Sequence, residues 1–135
     1  MTRGDRRRYD GCVRVLIVDD SAIVRDRLAS AVGERPGLEL MQATGADEAL
    51  AIASRGRPDV VLLDFHMPGR SGLAVIADLK AMSPPPVVVV LTWQPTEAHR
   101  RKCLSMGADF FFDKAFDFSR VLQSVIGSDE PRGPV

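Results

Sequence analysis

Two adjacent aspartates, Asp19 and Asp20, close the first apolar run of this chain. Asp64 closes a later run, Thr92 another, and Asp113-Lys114 the last. Carboxylates brought close together resist being ionised at once unless a hard cation and a lysine offset their charge. Mg²⁺ suits such a set. It takes oxygen ligands in octahedral geometry, keeps several waters, and is commonly held by one or two carboxylates plus a phosphate. A carboxylate oxygen left free beside it can attack a phosphoryl group and form an acyl phosphate, because positioning and charge neutralisation supply most of the catalysis in phosphoryl transfer.

For these groups to meet, the runs they terminate must be neighbouring strands. Short apolar runs alternate with segments of helical period, the pattern of a parallel sheet covered by helices on both faces. The strands are expected at Val13 to Val18, Leu38 to Ala43, Asp59 to Asp64, Val87 to Thr92 and Asp109 to Asp113. Between them lie a first helix from Ser21 to Arg35 with Val24, Leu28, Ala31 and Val32 on one side, and a second from about Asp47 to Ser54. A third follows Gly72, and a polar fourth runs from Glu97 to Ser105. Asp117 can cap a closing helix carrying Phe118, Val121, Leu122, Val125 and Ile126, ended by Gly127. Alternation in the second run marks an edge strand, while the unbroken third and fourth runs read as buried on both faces. In an open sheet of this kind ligands bind beyond the carboxyl ends of the strands, where the chemistry-bearing residues collect.

The length, 135 residues, supports one domain with a sizeable core, and Lys+Arg 18 against Asp+Glu 18 gives no net charge. That balance removes the electrostatic footprint of a direct nucleic-acid binder. No run approaches the ~20 apolar residues of a membrane span, and none is long enough for a signal peptide, so a cytoplasmic location is expected. Cys12 and Cys103 lack the spacing of a zinc set or disulfide framework and read as small buried or half-buried thiols. The Arg-rich residues 1–11 and the polar residues 128–135 are expected to be solvated tails around a domain at 12–127.

The segments VLIVDDSAIVRDRL, PDVVLLDFHMPGRSGL, VVVVLT and GADFFFDKA, in this order, resemble the receiver domain of two-component response regulators over about Val13 to Ile126. The resemblance implies a flavodoxin-like α/β fold, a doubly wound five-stranded parallel sheet of order 2-1-3-4-5 with five helices. It implies Asp64 as phosphoryl acceptor, with Asp19, Asp20, Asp64 and the backbone carbonyl of His66 holding Mg²⁺. Thr92 would hydrogen-bond the phosphoryl group, Lys114 would pair with it, and Phe111 would be the aromatic switch. The donor would be a sensor histidine kinase or a histidine phosphotransfer protein docking on the first helix. The output would leave through the surface of the fourth helix, fifth strand and closing helix to a downstream protein. With no further module after Ile126, a single-domain regulator acting by protein contact is expected, not a turnover enzyme.

Two positions depart from the family's usual pattern. Trp93 stands where a small residue usually follows the Thr, and its indole should restrict access to Asp64 or anchor a partner. Ala115 replaces the proline that usually follows the Lys. A trans Lys114–Ala115 bond is therefore expected, since a cis bond before a non-proline residue costs about 2.5–4 kcal/mol, and with it a looser aim for Lys114. His66 and Gln94, two residues beyond Asp64 and Thr92, would orient or obstruct the water that removes the phosphoryl group. Three other readings compete. A pseudo-receiver that binds partners without phosphorylation is favoured by Trp93 and Ala115. A phosphohydrolase would want an acid where His66 stands. A flavin binder would not place Asp19-Asp20 beside a phosphate. Taken singly, Asp20 is a plausible helix cap, Asp64 a turn former and Lys114 a surface lysine.

Overall fold

The computed structural model describes residues 13–33, 36–67, 71–115 and 120–123. The tails, Cys12, Arg35, the Pro68 to Arg70 part of the loop after Asp64, the Asp117 cap and Phe118, Val125, Ile126 and Gly127 lie outside them. The elements are β1 (Val13–Val18), α1 (Ala22–Gly33), β2 (Leu38–Ala43), α2 (Ala46–Gly56), β3 (Val60–Asp64), α3 (Gly72–Lys80), β4 (Val87–Thr92), α4 (Glu97–Ser105) and β5 (Phe110–Asp113). Residues 120–123 add a fifth helical segment, α5. All strand pairs are parallel and the order is β2-β1-β3-β4-β5, the flavodoxin-like topology expected from the sequence, with β2 at an edge and β3 in the centre. Among the described residues no helix is long and apolar enough to cross a membrane.

Alternation along the strands splits the core in two. Val15, Ile17, Val60, Leu62, Val89 and Leu91 face α1 and α5, whose Val24, Leu28, Val121 and Leu122 cover them. Leu16, Val18, Val61, Leu63, Val88 and Val90 face α2, α3 and α4, meeting Ala49, Ala53, Ile76, Leu79 and Cys103. Each large side chain so buried contributes about 1.5–3 kcal/mol. Burial also pushes the Cys103 thiol up to about 11, leaving it protonated and unreactive near neutral pH.

The helices end where their sequence provides a cap. Ser71 Oγ accepts from Leu73 N at 3.2 Å to open α3, and Thr96 Oγ1 accepts from His99 N at 3.1 Å to open α4. Gly72 is required by crowding, since a Cβ there would lie 2.9 Å from the Phe65 carbonyl oxygen. The turn after α4 needs Gly107, whose φ of 111° is a conformation that L side chains rarely adopt. Boundaries shift slightly from expectation. Ser21 lies just outside α1, its Oγ accepting from Val24 N at 3.3 Å. The second helix is longer than expected, Ala46–Gly56, and closes on Arg57 in the left-handed region (φ 50°).

The third and fifth strands each begin one residue later than the sequence pattern suggests, for a shared reason. Asp59 and Asp109 are not ladder residues but pins. Asp59 Oδ2 accepts from Arg14 N (2.9 Å) while Asp59 N donates to Arg14 O (2.8 Å) and Asp59 O accepts from Val87 N (2.9 Å), tying β1, β3 and β4 at their starts. Asp109 Oδ2 accepts from Val88 N (2.9 Å) and pairs with Lys80 Nζ (2.8 Å), and Asp109 N donates to Val88 O (2.9 Å). Register fixed at these amino ends sets which residues meet at the carboxyl ends. Asp59→Ala leaves the Arg14 N–H without this acceptor and is expected to cost roughly 1–3 kcal/mol. Asp59→Asn, which keeps an oxygen acceptor, should lose less. Urea unfolding midpoints order the three proteins, and an Ala variant as stable as wild type would remove the pin.

Candidate functional site

At the carboxyl rim, four of the five strands end in the same local device. A side-chain oxygen of the strand-end residue accepts the N–H two residues on: Asp19 Oδ1 from Ser21 (2.9 Å), Asp64 Oδ1 from His66 (3.0 Å), Thr92 Oγ1 from Gln94 (3.0 Å), and Asp113 Oδ1 from Ala115 (2.9 Å). Asp and Thr are suited to this turn because their oxygens sit one or two bonds from the backbone. Asp64 thus forms a turn and still meets Lys114 Nζ through the same oxygen. Each turn fixes one oxygen and aims the remainder of the group.

Alternation then decides which groups share a face. Asp19, Asp64 and Lys114 continue the series that faces α1 and α5, whereas Thr92 and Phe111 continue the opposite series. The first three meet. Lys114 Nζ lies 2.7 Å from Asp19 Oδ2 and 3.1 Å from Asp64 Oδ1, and all three side chains are almost fully buried. Asp20 is exposed, yet its carboxylate joins those of Asp19 and Asp64 with ligand atoms within 4.8 Å of one another. Thr92 is wholly buried, and its backbone oxygen accepts from Lys114 N at 2.8 Å, which ties the fifth-strand turn to β4. Phe111 is half-buried against the α2–α4 core.

Lys114 reaches Asp19 and Asp64 without a proline after it. Ser83–Pro84 is the one cis peptide bond among the described residues, so Lys114–Ala115 is trans as expected. The aim of the lysine comes instead from its backbone bond to Thr92 and the Asp113 turn. Trp93 is 55% exposed, with its ring centroid 5.7 Å from Lys114 Nζ, within cation–π range.

Several contacts at the rim had no signal in the sequence. Arg25 Nη1 donates to the Asp19 carbonyl at 2.8 Å, bracing the acid pair from α1. Phe65, His66 and His99 form a ring cluster, with centroids 4.9 Å (Phe65–His66), 5.1 Å (Phe65–His99) and 5.4 Å (His66–His99) apart. His99 Nδ1 lies 3.0 Å from the Gln94 carbonyl; since a carbonyl only accepts, Nδ1 carries the proton. The cluster links the loop after Asp64 to the start of α4, a contact between distant residues that no local spacing encodes.

The donor set fits a hard divalent cation. Three carboxylates face one ammonium, all ligand atoms are oxygens, and no thiolate or imidazole belongs to the group. Burial raises the pKa of Asp64 above the ordinary carboxylate value, and the Asp19 charge adds to the rise. The His66 N–H and the Lys114 ammonium oppose it without cancelling it.

Compared with known proteins, residues 15–126 match the response regulator receiver domain. The chain belongs to that family. A protein-glutamate methylesterase/protein-glutamine glutaminase of Anaeromyxobacter dehalogenans is 45% identical over 100 residues, 73% of this chain and 29% of that protein. The positive alginate biosynthesis regulatory protein of Pseudomonas aeruginosa is 43% identical over 82 residues, 59% of this chain and 33% of its own length. The receiver thus spans about a third of these curated relatives. Among solved structures, chemotaxis protein CheY4 of Vibrio cholerae superposes with a TM-score of 0.78 at 26% identity, covering 85% of this chain and 97% of that one. The response regulator domain of Thermotoga maritima CheB gives 0.74 at 27% identity, covering 85% and 91%.

The raised pKa of Asp64 has a consequence for stability. A folded state that holds this proton more tightly than the unfolded chain has the benefit in full below the ordinary value of 3.8 and loses it as pH rises through the elevated value. Without divalent metal, Asp64→Asn is expected to be more stable than wild type near neutral pH by roughly 1 kcal/mol. The difference should vanish in acid. Thermal melts in EDTA between about pH 4 and about pH 7.5 check this, and an advantage that does not grow with pH would reject it.

Proposed function

We propose that this receiver accepts a phosphoryl group from phosphohistidine onto Asp64. The observation that carries the reading is the buried Lys114 ammonium held between Asp19 and Asp64, with Asp20 in reach. The donor is the phosphohistidine of a sensor histidine kinase or a histidine phosphotransfer protein, approaching beside α1. An Asp64 Oδ attacks phosphorus, the P–N bond breaks, and its electron pair returns to the imidazole nitrogen, leaving an acyl phosphate on Asp64. Asp19, Asp20, Asp64 and the His66 backbone carbonyl would hold Mg²⁺, which when bound supplies charge neutralisation to the transferring group.

Lys114 redirects its N–H groups from the carboxylates toward the phosphoryl oxygens. Thr92 already accepts from Gln94, so its own O–H remains to be donated to a phosphoryl oxygen. Thr92 and Phe111 face the same side of adjacent strands, so a shift of the hydroxyl is felt by that ring and by the surface of α4, β5 and α5, where a downstream protein reads the state. His66 and Gln94 flank the pocket and set how long the acyl phosphate survives attack by water.

The test is labelling. With Mg²⁺ and a radiolabelled phosphohistidine kinase or transfer domain, wild type should take up acid-stable, base-labile phosphate. Asp64→Asn should take up none, and EDTA should abolish uptake. Label persisting in Asp64→Asn moves the acceptor elsewhere. No label from any donor makes the domain a binding module that phosphorylation does not switch.

A further inference from the structure

Trp93 is the sole tryptophan of the chain and one of three large apolar side chains left exposed among the described residues. It directly follows Thr92, at the mouth of the acid pocket. What lies against its ring is charge: the Lys114 ammonium, 5.7 Å from the centroid. The two short contacts of that ammonium are directed at Asp19 and Asp64. The indole therefore lies against the same cation that an arriving phosphoryl group has to reach.

We propose that Trp93 selects the phosphoryl donor, obstructing small phosphorylated molecules and anchoring a phosphohistidine protein. The proposal rests on the reading of Asp64 as acceptor. For a phosphoryl group to engage Lys114, the ring must give up part of its contact with the ammonium. A small acyl phosphate brings only its phosphoryl group to offset that loss and the crowding of the indole. A protein donor brings surface. Half-exposed tryptophan is among the side chains that most often dominate interface affinity, because its large ring is buried on docking at little entropic cost. Ile23, 73% exposed in the first turn of α1, provides a second apolar contact. It follows β1 and Trp93 follows β4, the two strands on either side of β3, so the exposed pair brackets Asp64. One side chain thus hinders one class of donor and helps the other, and its removal pushes the two rates in opposite directions. A residue that merely held Lys114 in place would not do so.

The experiment measures Asp64 labelling with Mg²⁺ in wild type, Trp93→Ala and Trp93→Phe, by radiolabelled acetyl phosphate and by a phosphorylated histidine phosphotransfer domain. In Trp93→Ala the acetyl phosphate rate is expected to rise about 5-fold and the protein-donor rate to fall about 5-fold, with Trp93→Phe between them for both. Unchanged rates, or rates that move in the same direction with both donors, overturn the proposal while wild type still carries label on Asp64. Absence of label in every protein from both donors overturns the acceptor reading and this proposal with it.

Discussion

Everything at the rim depends on one buried ammonium. Lys114 is 95 residues from Asp19 in the sequence, yet its Nζ sits 2.7 Å from that carboxylate, with both side chains almost fully buried. Ions taken out of water lose hydration worth several kcal/mol each, which their mutual attraction offsets only when the geometry is close. The ends of β1, β3 and β5 must therefore stop within a fraction of a side chain of their required places. A receiver with three carboxylates and no lysine would carry repulsion that only a bound cation could largely offset; one with the lysine misplaced would bury an unpaired cation.

The sheet meets this demand from both ends. Asp59 and Asp109 fix register where β3 and β5 begin, and four side-chain-to-backbone turns fix the residues where strands end. Between these clamps, alternation sends successive buried valines and leucines to opposite faces of the sheet, so the clamps at the two ends carry the register. Alternation also segregates labour. The ion triad falls on the α1 side, and Thr92 with Phe111 falls on the side of α4.

Much of this was legible from the chain alone. Strands announced themselves as apolar runs because a sheet covered on both faces tolerates little else, and the site residues stood out because each closes such a run. Nothing local separates Asp59 and Asp109 from their strands, because a hydrogen bond from a neighbouring strand's amide leaves no trace in the sequence around them. Arg25, and the meeting of Phe65 and His66 with His99, escaped for the same reason: these contacts join segments whose proximity exists only after folding. The contacts that aim Lys114, its backbone bond to Thr92 and the Asp113 turn, likewise have no counterpart in the family pattern, which places a proline there.

Of α1 to α4, α4 has the fewest buried side chains. Cys103 is its one fully buried side chain, and most of the rest of its surface faces water, with Arg100 and Arg101 paired to Glu97 along it. Elements with so little apolar burial sit at the low end of a protein's local stability, opening at a small fraction of the free energy that would dislodge β3. Stiffness and compliance are thus placed a few ångströms apart, with a rigid strand holding the acid and a loosely seated helix beginning where the Thr92 loop ends. A helix with so little to let go of yields more readily than a strand buried on both faces.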